Sequence, residues 1–233
     1  ETHSPISAFS VVAFSVAYEL ELAGLIQMLD AAGIPAFAED RDHRHPFIVG
    51  GGPLTFSNPV PMSPYFDVVV MGEAEVAAPE VCRILASART RDEGLDEVAK
   101  IESVWVPSRH GENLPMMGKV PDEMLPAWAP IRTPHTELSN MFLIESERGC
   151  SRGCAYCVMR RSTNGGMRIV PKERLLELIP TDAPKVGLVG AAVSDHPKII
   201  EIVHALADRG QGVGLSSLRP DRLSEEFVAA LKR

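Results

Sequence analysis

The 233-residue chain has no run of five or more lysines and arginines, and its 23 basic residues are outnumbered by 31 acidic ones, a formal charge of −8. Duplex nucleic acid is held largely through its phosphates, so this balance leaves no clear nucleic-acid footprint. No apolar stretch approaches the roughly 20 residues of a membrane helix, and Glu1 to Ser10 lacks the basic and apolar regions of a signal peptide. The expectation is a soluble, cytoplasmic protein. Cysteine is scarce as well: there are four, and three of them fall within eight residues. That is a ligand or redox arrangement, unlike a disulfide framework, and it suits a reducing compartment. A starting methionine is missing and the chain stops inside a helical pattern at Arg233, so a chain truncated at both ends is expected.

What is present is an alternation of strand and helix signals. Val11 to Val16 reads as a strand, followed by Leu22, Leu25, Ile26 and Leu29 at helical spacing up to Gly33-Ile34-Pro35. Phe47-Ile48-Val49 runs into Gly50-Gly51-Gly52-Pro53, and Asp67 to Met71 into Gly72-Glu73, before a helix around Pro79 to Ala88. Strands apolar throughout, each followed by glycine, predict a parallel, doubly wound sheet. Between Ile101 and Ser139 six prolines break the rhythm, too closely spaced for long helices or central strands. Trp105 and Trp128 are candidates to pin this stretch to the surface. Alternation then resumes with strands Met141 to Glu145, Val186 to Val189 and Gly212 to Leu215, and helices Pro171 to Ile179, Lys198 to Asp208 and Ser224 onward. Pro171 suits a first helical position, and Ser224 followed by Glu225 and Glu226 suits an N-cap. The expected domains are 1–100, a connector 101–138, and 139–233. Three β/α units cannot close a barrel.

The segment Glu147-Arg-Gly-Cys150-Ser-Arg-Gly-Cys154-Ala-Tyr156-Cys157 carries C-x3-C-x2-C directly after a predicted strand. Three thiolates on one loop suffice for three irons of a cubane cluster and leave the fourth iron open, as reactive metal sites require. Gly149 and Gly153 permit a tight loop with amides turned to sulfur. This spacing, with an aromatic residue before the third cysteine, resembles the signature of the radical S-adenosylmethionine superfamily. The resemblance implies a 4Fe-4S cluster on Cys150, Cys154 and Cys157 that binds S-adenosylmethionine and cleaves it reductively to a 5′-deoxyadenosyl radical. It further implies Tyr156 near the adenine, and an external electron donor such as flavodoxin or ferredoxin. The other strand ends supply candidate cofactor contacts: Gly190 and Ser194 in Val189-Gly-Ala-Ala-Val-Ser194-Asp195, which departs from the family's usual Gly-Gly-Glu, and Ser216 and Arg219. Ordinary loop hydrogen bonding accounts for Ser216 and Arg219 equally well. Arg160, Arg161 and Arg168 flank the loop as possible carboxylate partners, with a solvated basic face as the simpler account of at least two. The alternative to an iron–sulfur enzyme is a non-catalytic iron–sulfur or zinc-binding module, with His135 or His196 as a fourth zinc ligand.

Upstream, Phe14-Ser15, the Gly50 to Pro53 turn and Tyr65 to Glu75 together resemble the later part of the cobalamin-binding domain of one branch of that superfamily. By this resemblance Ser15, Gly50, Gly51, Gly52, Pro53, Gly72 and Glu73 line a corrin. No D-x-H-x-x-G motif is present to donate an axial histidine. A Rossmann-like domain without corrin is the competing account. His43 and His45 read as solvated, and Cys82 as a small hydrophobe in a helix. A methylthiotransferase would carry further N-terminal cysteines, which this chain lacks. The fold class implied is α/β: a partial doubly wound, Rossmann-like cobalamin-binding domain followed by the first half of a radical SAM partial (β/α)6 barrel. Methyl transfer is the favoured reaction.

Overall fold

The computed structural model describes residues 3–157 and 166–232. The chain forms two compact units, Glu1–Val120 and Pro121–Arg233.

The first unit rests on three β-branched, apolar runs, β1 (Val11–Ser15), β2 (Phe47–Gly51) and β3 (Val68–Val70). They are parallel and adjacent, with Phe14 opposite Gly50 and Gly50 opposite Val69. Parallel neighbours need a crossover, which α1 (Glu21–Ala31) supplies between β1 and β2. Leu22, Leu25 and Leu29 lie on one face of α1 and share a buried cluster with Ile48, Val69 and Met71. The helix ends at Gly33, where φ is +68° and the N–H donates to Asp30 O, while the Ile34 N–H reaches Leu29 O, both at 2.9 Å. This is a Schellman closure, sealed by buried Ile34.

The opposite face of the sheet, Phe47, Val49, Val68 and Val70, packs on α2 (Ala77–Ser87) and α3 (Arg91–Val98). Alternate strand residues point to opposite faces, so β2 and β3, apolar throughout, are covered on both. Cys82 sits half-buried in α2. The chain returns as β4 (Val104–Trp105), antiparallel to β3 at the sheet edge, and turns through α4 (Pro107–His110). Trp105 is buried and donates its indole N–H to Gly111 O at 3.0 Å. His45 folds back onto Asp42, accepting its N–H at 3.1 Å on Nδ1, whereas a solvated ring was expected.

The second unit contains β5 (Met141–Glu145), β6 (Glu147–Arg148), β7 (Arg168–Ile169), α5 (Lys172–Leu178), β8 (Lys185–Val189), α6 (Ile199–Asp208), β9 (Gly212–Leu215) and α7 (Glu225–Leu231). The strands β5, β8 and β9 form a parallel sheet in that order, with Leu143, Gly187 and Gly214 in one row. Phe142, Ile144, Val186 and Leu188 alternate with that row and are buried. A Cβ on Gly187 would approach Met141 and Leu143 to 2.8 and 2.5 Å, so glycine leaves room for those side chains. The β6–β7 pair is a short antiparallel ribbon. The chain from Ala127 to Ala129 runs along β5, with the Glu145 and Ala129 N–H groups donating to Ala127 O and Leu143 O at 2.9 Å. Trp128 there is half exposed. Ser224 caps α7, accepting the Phe227 N–H at 3.2 Å, and Pro171 precedes α5 by one residue.

Candidate functional site

In the first unit, parallel pairing places the C-terminal ends of β1, β2 and β3 at one edge, and Ser15, the Gly50 to Pro53 turn and Gly72 meet there. Gly52 has φ +96°, and a Cβ on it would lie 2.6 Å from Ser15 Oγ and 2.9 Å from Val16 N. Two strand-end loops therefore touch through that glycine. Gly50 is buried against Met62 and Phe66, and Gly72, at φ +82°, against the Gly118 backbone, so both serve packing. Ser15 and Pro53 are exposed, and Gly51 and Gly52 partly so. Glu73 Oε2 accepts the Val120 N–H at 2.7 Å. Thr55, which the sequence did not single out, is fully buried and joins the loops: its hydroxyl donates to Gly52 O at 2.7 Å and accepts the Gly72 N–H at 3.2 Å.

At the opposite, N-terminal edge of the sheet opens a cavity of about 1010 Å³ lined by Arg41, Asp67, Arg91, Trp105 and Arg109. Its cations are engaged in holding the fold. Arg41 and Arg91 lie 3.1 and 2.6 Å from Asp67, Arg91 covers the Phe47 ring at 4.6 Å, and Arg109 pairs with Asp92 and Asp96 at 2.6 Å.

In the second unit the cysteine loop leaves the C-terminal side of β5 through β6. Gly149 takes φ +87°, and the Arg152 N–H donates to Cys150 Sγ at 3.4 Å. The Cys157 N–H turns back to Cys154 O at 3.2 Å. Cys150 and Cys157 are half-buried, Cys154 is exposed, and Tyr156 is 91% exposed without a packing partner in the core. Among the described residues no three Cys, His, Asp or Glu side chains are gathered as a metal site. The three cysteines share one loop, where the sequence puts them, without being gathered into one cluster of ligands in this structure. The donor set fits an iron–sulfur group: soft thiolates on one glycine-bearing loop, with an amide aimed at sulfur. Arg168 pairs with Asp122 at 3.0 Å, and Arg160 and Arg161 lie outside the described residues.

The structure brings Gly190, Ser194, Ser216 and Arg219 together at the ends of β8 and β9. Their polar groups engage one another: the Gly190 N–H donates to Ser216 Oγ at 3.1 Å, and the Arg219 N–H to Ser194 Oγ at 2.9 Å. The Arg219 guanidinium meets both oxygens of Asp195 at 2.9 and 2.7 Å. Glu147, not singled out from the sequence, is fully buried, accepts the Ala192 N–H at 2.7 Å on Oε1 and leaves Oε2 without a hydrogen-bond partner among the described residues. A Cβ on Gly190 would collide with its carboxylate. Burial pushes the Glu147 carboxyl up to about 7, opposed by the Ala192 amide and reinforced by Glu145 and Asp195. His196 is buried with Nδ1 accepting the Lys198 N–H at 3.1 Å, which leaves Nε2–H to donate to Val170 O at 2.9 Å. With both nitrogens committed it has none to offer zinc.

The family described as Radical SAM proteins, N-terminal, matches residues 1–107. An uncharacterized protein of Methanocaldococcus jannaschii is 25% identical over 244 residues, covering 100% of this chain and 49% of its own. The 2-(S-pantetheinyl)-carbapenam-3-carboxylate methyltransferase of Streptantibioticus cattleyicolor is 32% identical over 192 residues, 75% of this chain and 28% of its own. Among solved structures, the radical S-adenosylmethionine methyltransferase TsrM of Kitasatospora setae, with tryptophan substrate and a SAM analog bound, aligns at TM-score 0.57 and 12% identity over 94% of this chain and 45% of that one. A second structure of it, with cobalamin and a [4Fe-4S] cluster bound, gives 0.56 and 13% over 95% and 46%. These structural matches show the fold: mixed α/β with parallel sheets. The chain spans half or less of the length of each of these relatives.

Proposed function

We infer that this chain, whose first 107 residues match the N-terminal family of radical SAM proteins, works as a radical S-adenosylmethionine enzyme with cobalamin as methyl carrier. The observation that carries the reading is the C-x3-C-x2-C loop, set directly after the first strand of a three-stranded parallel β/α sheet. The relatives supply the reaction class: one is named a methyltransferase of a carbapenam carboxylate, and the matching fold belongs to a radical SAM methyltransferase.

Cys150, Cys154 and Cys157 would hold the 4Fe-4S cluster, and the edge made by exposed Ser15 and Pro53 with half-buried Gly51 and Gly52 would meet the corrin. When bound, the cluster supplies the electron that cleaves S-adenosylmethionine, and cobalamin supplies a transferable methyl group. The chain's own contribution is placement. The Gly190 and Ser216 loops, fixed to each other by their hydrogen bonds, would form a firm wall at the strand edge where ligands of parallel α/β sheets bind. An external one-electron donor of the flavodoxin or ferredoxin type completes the system.

The test is anaerobic reconstitution followed by assay of 5′-deoxyadenosine. Each alanine substitution of Cys150, Cys154 or Cys157 is expected to abolish cleavage and strip iron, because losing one thiolate removes a leg of a three-legged mount. Cys82→Ala is expected to keep full iron content. A Cys154→Ala chain with a complete cluster and normal cleavage would refute the assignment.

A further inference from the structure

Three stretches of the second unit meet at Asp195. Its side chain is 3% exposed, just past the end of β8. Arg219 Nη1 touches both carboxylate oxygens, Arg222 Nε lies 3.0 Å from Oδ1, and Arg152 Nε lies 3.6 Å from Oδ2. Arg219 and Arg222 belong to the segment after β9, whereas Arg152 stands between Cys150 and Cys154 and turns its own N–H to Cys150 Sγ. One buried carboxylate thus links the strand-end segments to the middle of the cysteine loop. Burial works to raise the Asp195 pKa, but Arg219 and Arg222 outweigh it and hold the group ionised. Asp221 also pairs with Arg219. The three arginines against these two aspartates leave one positive charge in excess, and Arg152 carries it into the cysteine loop itself.

We infer that Asp195 is a positioning residue for the iron–sulfur loop: through Arg152 it ties that loop to the ends of β8 and β9, and the arginines it gathers offset the negative charge of the thiolates. The inference rests on the iron–sulfur reading above. It has a specific mechanical content. A loop carrying three thiolates closes round a metal at an entropic cost, and a tether at its centre lowers that cost and slows release. Arg152 is 42% exposed, and pairs that exposed add little to global stability. Its removal therefore separates loop retention from folding.

The experiment reconstitutes the chain with iron and sulfide, then follows iron loss to a chelator, alongside Tm of the iron-free chain. Arg152→Gln is expected to lose iron several-fold faster than wild type at unchanged Tm, and Arg152→Lys to recover most of the retention, since charge is what Asp195 reads. Asp195→Asn is expected to lose iron faster still, and adding Arg152→Gln to it should change little, because the tether is already cut. Wild-type retention in both Arg152→Gln and Asp195→Asn would overturn the inference and leave the proposed function standing. A wild-type chain that takes up no iron would overturn the proposed function, and this inference with it.

Discussion

Glu147 is an acid placed where ionisation is costly. One oxygen has an amide partner, the other has none among the described residues, and the side chain is fully buried. Its carboxyl therefore keeps its proton up to about pH 7, against an ordinary value of 4.5. Between those two values the folded chain binds a proton that the unfolded chain has released, so stability falls as pH rises through the window and levels off above it. At about 1.4 kcal/mol per unit, the penalty is on the order of 3 kcal/mol as an upper bound. Glu147→Gln stays neutral and keeps an acceptor for Ala192. It is expected to match wild type near pH 5 and to melt higher than wild type at pH 8. Thermal unfolding of both chains at the two pH values measures this, and a Tm difference that ignores pH would contradict it. The residue was in plain view, three places before Cys150, but its burial was not legible. The loop that covers it arrives 45 residues later, and local sequence carries no record of such a contact. The cysteines were legible for the opposite reason: their spacing alone restricts the chemistry.

At the scale of elements, two glycines of the first unit make opposite predictions. Gly24 lies inside α1, where a Cβ would meet none of the described neighbouring residues within 4 Å, so Gly24→Ala should stabilise by about 0.5–1 kcal/mol through the unfolded chain's entropy. Gly52 holds φ +96° and a Cβ would press on the Val16 backbone at 2.9 and 3.0 Å, so Gly52→Ala should cost more than about 1 kcal/mol. Urea unfolding of the two variants gives both signs in one series, and a stable Gly52→Ala chain would show that the turn can move. The long elements were readable because burial on two faces writes itself as uninterrupted apolar runs, as in Phe47-Ile48-Val49 and Val68-Val69-Val70. The short ones were not. The two-residue β4 is a strand only because β3 leaves an edge beside it, and the two-residue β6 and β7 form only against each other. The polar helix α3 carries a weaker signal, a capping box: Thr90 three residues before Glu93, whose N–H the threonine accepts at 3.1 Å.

At the scale of the whole molecule, the two units carry complementary parts of the proposed chemistry. A deoxyadenosyl radical abstracts a hydrogen atom and leaves a radical on the substrate. Under the proposed function such a radical would have no use for a methyl cation from S-adenosylmethionine and would need a methyl radical equivalent, which a corrin held by the first unit would supply. The prediction is that reconstituted protein retains hydroxocobalamin through gel filtration and, given S-adenosylmethionine labelled in its methyl group and a reductant, passes label to the corrin. Protein that makes deoxyadenosine while every labelled methyl stays in methionine or intact cofactor would remove methyl transfer and leave the radical mechanism in place. Protein that cleaves S-adenosylmethionine yet retains no corrin would assign the first unit to another role, since its glycine edge would then be accounted for by the packing of Gly50, Gly52 and Gly72 alone.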